Sequence, residues 1–302
     1  MKMITRRCPV CDSDDTSNVV AESNVDASRL DPFAFASRKL PEYMHHRLIG
    51  CPACDLLYAS PVPERDELAK AYEEAAFDSG VEARYAARTY ARLLPGICRR
   101  LPDLHGALDI GTGDGAFLHE LLAAGFDDVV GVEPSTAPIT AASDSVRPLI
   151  RQGLFQADAF APASFSLITC FQTMEHLDDP LAMCRDAWRL LKPGGALLLI
   201  GHNRHALSAK LMGRKSPIFD LEHLQLFSRS SARQLMQRAG YANVRVSPMV
   251  NRYPLHYWMK LVPIPNGAKS ILIQTSKRMR FGYLPVALPA GNMAIVGLRP
   301  EI

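Results

Sequence analysis

Two kinds of apolar pattern alternate along this chain and predict its elements: a helical periodicity in the longer segments and short apolar runs between them. In the longer segments apolar side chains recur every three to four residues, as on one face of an α-helix; Phe117, Leu118 and Leu121 are an example. Helices that alternate with short apolar strands predict an α/β fold, with a doubly wound, mostly parallel seven-stranded sheet covered on both faces. The seven predicted strands lie near residues 107–110, 128–132, 149–151, 165–171, 196–201, 244–250 and 292–298.

The pattern outside the sheet divides the chain into further parts. Residues 63–103 have helical periodicity, with Leu68 and Tyr72 on one face, and we expect them to cap the ligand site of the sheet domain, residues 104–302. Residues 251–291 separate the last two strands, and insertions of this length in a compact fold are commonly lids or binding loops. Their aromatic and basic side chains indicate contact with a substrate or partner; a dimer interface is the alternative.

A glycine-rich turn follows the first strand of the sheet. Gly111, Gly113 and Gly115 fall within five residues, between the strand and the next helix. Glycine permits positive φ and lets a ligand approach the backbone, and the first N–H groups of a helix attract polar or anionic groups. The second strand ends in Glu133, whose carboxylate suits the hydroxyls of a ribose. The turn alone also fits a dinucleotide, so these residues leave the cofactor open.

Four segments in this order resemble the motifs of class I S-adenosylmethionine-dependent methyltransferases: 108–115, 131–135, 165–180 and 190–199. The resemblance covers about residues 104–250 and implies an antiparallel hairpin at the end of the sheet. The chain departs from the family at Ser166, where an Asp is usual, and near Leu154, where an acid often reads the adenine amino group. Without that second acid, adenine would be held by backbone groups and apolar packing, with Asp158 as a further candidate. The resemblance assigns the cofactor S-adenosylmethionine to Asp109, Gly111, Gly113, Gly115, Glu133, Phe155 and Phe171.

Two Cys-x-x-Cys pairs near the N-terminus repeat one pattern, Cys-Pro-x-Cys-Asp. Each such turn can place two thiolates on one metal ion, and two turns complete a tetrahedral site. The sequence therefore predicts a structural Zn²⁺ in a module of residues 1–62, with no open coordination position for catalysis. The module also resembles the zinc-binding segment of methyltransferases in bacterial sugar, cell-surface and natural-product pathways. Its predicted ligands are Cys8, Cys11, Cys51 and Cys54.

Histidines supply the candidate catalytic bases. Methylation of an unactivated hydroxyl requires removal of its proton, and histidine titrates near neutral pH. His223 and His176 are the first two candidates and His202 is the third. All three follow strands, at the edge where doubly wound sheets bind ligands. A structural hydrogen bond is the alternative role for each.

Composition limits the remaining possibilities. The formal net charge of +3 over 302 residues does not demand a nucleic-acid partner. No apolar run approaches the roughly 20 residues of a membrane span, and no signal peptide is recognisable. We therefore expect a cytoplasmic protein, in which the seven cysteines are not disulfide-bonded.

These features predict an S-adenosylmethionine-dependent methyltransferase acting on a small molecule, with oxygen of a sugar or natural-product intermediate as the leading acceptor. A glycosylated or lipid-linked acceptor and a homodimer are compatible with the insert. An RNA methyltransferase that grips nucleic acid through the zinc module is disfavoured, because residues 1–62 hold few basic side chains. A non-catalytic zinc- and cofactor-binding scaffold is disfavoured by the intact glycine turn. The motifs do not encode the acceptor, nor whether O, N or C is methylated.

Overall fold

The computed structural model describes residues 2–29, 33–36, 41–262 and 264–301. The strands are β1 (Met3–Ile4), β2 (Val19–Ala21), β3 (Leu48–Gly50), β4 (Leu57–Ala59), β5 (Val62–Pro63), β6 (His105–Ile110), β7 (Asp127–Glu133), β8 (Ile150–Gln152), β9 (Phe165–Phe171), β10 (Leu191–His202), β11 (Gln225–Leu226), β12 (Ala242–Pro248), β13 (Asn251–Pro254), β14 (Pro285–Leu288) and β15 (Asn292–Leu298). The helices are α1 (Arg65–Glu73), α2 (Gly80–Ala91), α3 (Leu94–Cys98), α4 (Ala116–Ala123), α5 (Thr136–Ala141), α6 (Pro180–Leu190), α7 (Leu207–Met212), α8 (Arg229–Arg238), α9 (Leu255–Leu261) and α10 (Asn266–Arg278).

The central sheet has seven strands in the order β12-β15-β10-β9-β6-β7-β8. Strands β10, β9, β6, β7 and β8 run parallel, while β15 is antiparallel to both β10 and β12. This confirms the predicted doubly wound, mostly parallel sheet. β10 begins at Leu191, earlier than expected, because Leu191 pairs with Phe165 ahead of an irregularity that ends at Ala196.

Alternating side chains of the central strands fill two separate cores, one on each face of the sheet. Leu108, Ile168 and Leu199 belong to one core, which also reaches the cysteines of the N-terminal module. Their neighbours Leu167 and Leu198 belong to the other core, which packs against the helices before the sheet and the insert. Because both faces are covered, these strands are continuous apolar runs.

The N-terminal module is joined to the sheet domain through a shared strand. Its four-stranded antiparallel sheet has the order β11-β4-β3-β2, and β11 comes from the C-terminal half of the chain. Gln225 and Leu226 of β11 pair with Tyr58 and Leu57 of β4. The four-stranded sheet therefore extends beyond the predicted module of residues 1–62, because its fourth strand, β11, lies in the predicted sheet domain.

The segment after β12 forms the predicted interruption of the terminal hairpin. It contains α9 and α10 between the antiparallel strands β13 and β14, and it lies against α2, one of the helices predicted in the region 63–103. His256 of α9 has Nε2 3.3 Å from Glu82 Oε1 of α2, and both side chains are buried. Among the described residues, every helix is too short or too polar to span a bilayer.

Candidate active site

The glycine turn after β6 is an open cradle at the carboxyl edge of the sheet. Gly111, Gly113 and Gly115 all have positive φ, at 75°, 59° and 71°. A Cβ added at Gly113 would meet no heavy atom within 4 Å, whereas one at Gly111 would collide with Thr173. Gly111 and Gly113 line the cleft, and Gly115 precedes α4 directly. The turn thus keeps open space beside the backbone at Gly113.

Glu133 closes the side of this cradle. Its Oε2 accepts a hydrogen bond from Gly113 N–H (2.8 Å), and its Oε1 accepts one from Ser135 N–H (2.9 Å). Burial raises the pKa of the Glu133 carboxyl group, and the two N–H donors oppose that rise. Asp109 lies at the base of the same cleft and accepts a hydrogen bond from Thr169 Oγ1 (2.6 Å); burial raises its pKa to about 6.

Aromatic rings form the apolar walls of the cleft. Phe171 packs edge-on against Phe117 and Tyr90, with ring centroids 4.6 and 4.9 Å apart. Phe155 also lines the cleft and stacks on Phe160, outside it. The structure brings both aromatic residues predicted for the cofactor to the cleft that the glycine turn borders.

Three histidine rings lie together in the same cleft. The centroid of His223 lies 4.9 Å from that of His176 and 5.2 Å from that of His202. His223 Nδ1 lies 2.8 Å from the carbonyl oxygen of Ile218. Because a carbonyl can only accept, Nδ1 carries a proton, and Nε2 is the ring nitrogen that can gain or lose one. This arrangement suits His223 as a proton acceptor.

His202 is held differently from the other two histidines. Its Nδ1 lies 3.1 Å from Asn292 Oδ1, and its backbone N–H donates to Glu175 Oε1 at 2.6 Å. Burial lowers the pKa of His202 to about 4, so the ring is neutral at physiological pH. Glu175 is fully buried, which raises its pKa to about 7.

Tyr72 and Glu222 join this cluster although the sequence analysis assigned neither to it. The Tyr72 hydroxyl lies 2.9 Å from His176 Nδ1 and 3.5 Å from the backbone oxygen of Glu222. Burial raises the pKa of Tyr72 well above its usual value, so the phenol stays protonated. One ring nitrogen each of His176 and His223 and a carboxylate oxygen of Glu222 lie within 4.8 Å of one another. The helical periodicity around Leu68 indicated burial of Tyr72, but it carried no signal for the hydrogen-bond partner.

The four N-terminal cysteines form a second cluster, outside the cleft. Cys8 Sγ lies 3.5 Å from Cys54 Sγ, and Cys11 Sγ lies 3.4 Å from Cys51 Sγ; all four sulfurs lie within 4.8 Å of one another. These separations exceed the S–S bond of about 2.05 Å, and all four thiols are free.

The two cysteine turns have the same backbone geometry. In each turn the residue after the second cysteine donates its N–H to the carbonyl of the first, from Asp12 to Cys8 and from Asp55 to Cys51. Both aspartates have left-handed φ, at 61° and 63°, a conformation that Asp tolerates better than most residues. The left-handed backbone after each cysteine pair therefore explains why an aspartate stands at both positions.

Arg6 connects this cysteine module to the loops that carry the histidines. Its guanidinium donates to the carbonyl oxygens of Ala59 (2.9 Å), Asp178 (3.0 Å) and Leu224 (2.6 Å), and to Gln225 Oε1 (2.9 Å). Gln225 Nε2 in turn donates to the carbonyls of Met174 (2.7 Å) and Leu177 (2.8 Å). The loop before β11 and the loop after β9 are thus joined at one buried hub.

We expect Arg6→Ala to lower the free energy of unfolding by about 3 kcal/mol, because it removes four partly buried hydrogen bonds that a charged group donates. Urea denaturation followed by circular dichroism measures the change. Arg7→Ala is the matched control, since Arg7 is exposed and its ion pair with Asp12 should contribute less than about 1 kcal/mol. Equal losses in the two variants would contradict the role of the hub.

The glycine turn, the aromatic walls and the histidine cluster border one continuous cleft. It encloses about 1330 Å³, more than the roughly 300–1,000 Å³ of common ligand pockets. This volume accommodates two ligands side by side, one at the glycine turn and one at the histidines.

Comparison with known proteins agrees with this geometry. A family model described as a methyltransferase domain matches residues 79–246. Ubiquinone biosynthesis O-methyltransferases of Pseudomonas putida and Pseudomonas aeruginosa are 33% and 35% identical over 106 residues, which cover 32% of this chain and 44% of each relative. The match thus spans less than half the length of these relatives. The YcgJ protein of Bacillus subtilis superimposes with a TM-score of 0.50 at 20% identity, covering 71% of this chain and 99% of that protein.

The family model spans more than half of the chain and includes the glycine turn, Glu133 and His176. The YcgJ match supports the same fold, but at its level of identity it carries no information about substrate. The chain therefore belongs to the methyltransferase-domain family and has the fold of the class I S-adenosylmethionine-dependent methyltransferases.

Proposed function

We propose that this protein transfers a methyl group from S-adenosylmethionine to the oxygen of a small molecule. The observation that carries the proposal is that the Gly113–Glu133 cradle and the histidines His176, His202 and His223 line one cleft. A methyltransferase needs both parts, since the donor and the proton-bearing acceptor must be aligned before reaction.

The cradle residues fit S-adenosylmethionine. Gly113 leaves open space where any other residue would place a Cβ. Glu133 offers its remaining lone pairs to the ribose hydroxyls, while Phe171 and Phe155 supply apolar surface for the rest of the cofactor. Asp109 accepts a hydrogen bond from Thr169 Oγ1, and we assign it the role of holding the end of β6 in place beneath the glycine turn.

The histidine cluster supplies the proton transfer. S-adenosylmethionine, when bound, provides an activated methyl group on sulfonium. His223 Nε2 takes the proton of the acceptor hydroxyl as the oxygen attacks, and the Ile218 carbonyl holds the ring in the required tautomer. Tyr72 and His176 lie beside it as a hydrogen-bonded pair, which orients the acceptor and stabilises negative charge developing on its oxygen.

Transfer to oxygen is supported by two independent points. The Pseudomonas relatives are named as O-methyltransferases, and a base of histidine type matches the demand of a weakly acidic hydroxyl. Methylation of carbon or nitrogen would produce a different product with the same cofactor. Mass spectrometry and NMR of the methylated product therefore test the oxygen assignment directly.

We further propose that the four cysteines bind a structural Zn²⁺. A tetrahedron with Zn–S bonds of about 2.3 Å has sulfur–sulfur edges of about 3.8 Å, close to the observed separations of 3.4 and 3.5 Å. Cys8, Cys51 and Cys54 are buried and Cys11 is partly buried, as expected for a closed site without an exchangeable water.

The decisive experiment measures binding and transfer separately on the purified protein. Isothermal titration calorimetry with S-adenosylmethionine tests the cradle. Radiolabelled methyl transfer to a panel of phenols, sugars and nucleotide-linked sugars tests the reaction. Absence of cofactor binding would overturn the proposal; binding with transfer only to amines or carbon acids would overturn the oxygen assignment.

We expect Glu133→Gln to weaken S-adenosylmethionine binding by about a hundredfold, because the charged hydrogen bonds to the ribose hydroxyls are lost. An amide has one acceptor oxygen, so it cannot accept from both Gly113 N–H and Ser135 N–H as the carboxylate does. Calorimetry measures the dissociation constant. Asp127→Asn is the matched control at the exposed start of the same strand, and an equal effect there would refute the ribose role.

A further inference from the structure

Acidic residues are nearly absent from the last third of the chain. Residues 201–300 hold fifteen Lys and Arg but only two acidic residues, Asp220 and Glu222, and both of these are buried. Residues 1–200 hold 19 basic and 28 acidic residues. The small net charge thus hides a strong separation of charge along the sequence, and the basic part contributes α7 and the insert to the lining of the cleft. A basic surface of this kind attracts anionic partners.

These parts of the cleft also expose large apolar side chains. Leu211 and Leu207 of α7 are 77% and 71% exposed, more than any other large hydrophobic residue in the described ranges. They are one helical turn apart and therefore lie on one side of α7. Val262 and Leu288 of the insert are also exposed, and all four residues line the mouth of the cleft. Apolar surface that borders a cleft indicates a contact that removes it from water.

Basic side chains accompany these leucines. Lys210, Arg214 and Lys215 are exposed on α7 and the turn after it. Among the described residues no carboxylate lies within ion-pair distance of these three, so their charges are available to a partner. The insert repeats the combination at the end of α10, where Lys277 and Arg278 precede the exposed Met279.

Cations next to exposed leucines fit the interface of an anionic membrane, where apolar side chains enter the acyl boundary and cations meet lipid headgroups. Nucleic acid would use the cations but would leave the leucines in water. A second copy of the chain would bring two basic surfaces together, which is repulsive. We propose that this rim, formed by α7, the turn after it and the end of α9, docks on an anionic lipid bilayer.

Docking in this way would hold the mouth of the cleft against the bilayer. An acceptor with an apolar chain would then reach the histidines without crossing water, with the exposed leucines around its path. The inference goes beyond the proposed methyl transfer, because vesicle binding is measured without turnover and can fail while the reaction stands.

Vesicle sedimentation of the full chain tests the proposal. We expect the protein to sediment with vesicles of equimolar phosphatidylcholine and phosphatidylglycerol but not with phosphatidylcholine alone, and to be released as salt screens the attraction. Equal binding to both vesicles, or to neither, would overturn the proposal. Binding to single-stranded RNA without binding to anionic vesicles would also overturn it.

Paired variants separate the two components of the surface. We expect Lys210→Glu/Lys215→Glu to lower partitioning into anionic vesicles by at least about 25-fold, since each basic residue contributes about fivefold. Leu207→Ser/Leu211→Ser should lower it by about tenfold or more. The controls are Arg99→Glu/Arg100→Glu, with the same change of net charge on another surface, and Leu122→Ser, another exposed leucine.

The controls decide between a local surface and a general charge effect. Loss of vesicle binding in the controls as large as in the rim variants would refute the assigned surface. Wild-type affinity for S-adenosylmethionine in every variant shows that each remains folded. A dimer in sedimentation equilibrium that the leucine variants dissociate, without vesicle binding by the wild type, would assign the rim to self-association instead.

Discussion

We expect His223→Gln to lower kcat about a thousandfold, a typical contribution of a positioned general base, and to leave the affinity for S-adenosylmethionine within about twofold of the wild type. The reason is the fixed tautomer of His223. Its Nδ1 is bonded to the Ile218 carbonyl, so Nε2 is the nitrogen that takes the proton of the acceptor in the proposed reaction. Glutamine approximates the size of the ring but provides no comparable base. Steady-state rates of methyl transfer, measured with saturating cofactor, give the change in kcat.

Two further variants make the assignment of His223 specific. His119→Gln is the matched control, because His119 is exposed and bonded to Ser143, outside the cleft. It should retain the wild-type rate. His176→Gln should lower kcat less than His223→Gln, since His176 acts in a pair with Tyr72. A larger loss of kcat for His176→Gln than for His223→Gln would assign the role of base to His176. The pH profile gives a second test, because the variant that lacks the base should lose the acid limb of the profile.

The sequence predicted the sheet well because each of its signals is local. The strand from Phe165 to Phe171 was located from its apolar run, and the turn from its glycines. Both patterns reflect constraints within a few residues, namely burial on both faces of the sheet and left-handed φ. Each cysteine pair is also a local pattern, which explains why two similar turns could be predicted from the sequence.

The connections across the site were not predictable in this way. Arg6 bonds to Leu224, 218 residues further along the chain, and no periodicity near Arg6 indicates such a partner. Tyr72 was placed on a buried helix face, yet that inference could not distinguish packing from a hydrogen bond to His176. Likewise the run around Gln225 looked like part of the sheet domain, whereas β11 completes the sheet of the cysteine module.

This shared sheet connects the proposed metal site to the loops that carry His176 and His223. β11 pairs with β4, which follows the second cysteine turn, and Gln225 of β11 lies two residues after His223. Gln225 also bonds to the carbonyls of Met174 and Leu177, on either side of His176. Disorder of the module would therefore release both histidine loops together, although none of the four cysteines borders the cleft.

We accordingly expect Cys51→Ser/Cys54→Ser to abolish zinc binding and to lower kcat more than about tenfold, because structural Zn²⁺ supplies about 10–16 kcal/mol of binding free energy to small zinc-dependent folds. S-adenosylmethionine affinity should change little, since Gly113 and Glu133 belong to the central sheet. Elemental analysis, calorimetry and methyl-transfer rates measure the three quantities. Cys98→Ser, at a partly buried cysteine outside the cluster, is the control. Wild-type protein without one zinc per chain would refute the metal site, and a zinc-free variant with full kcat would refute its link to the histidines.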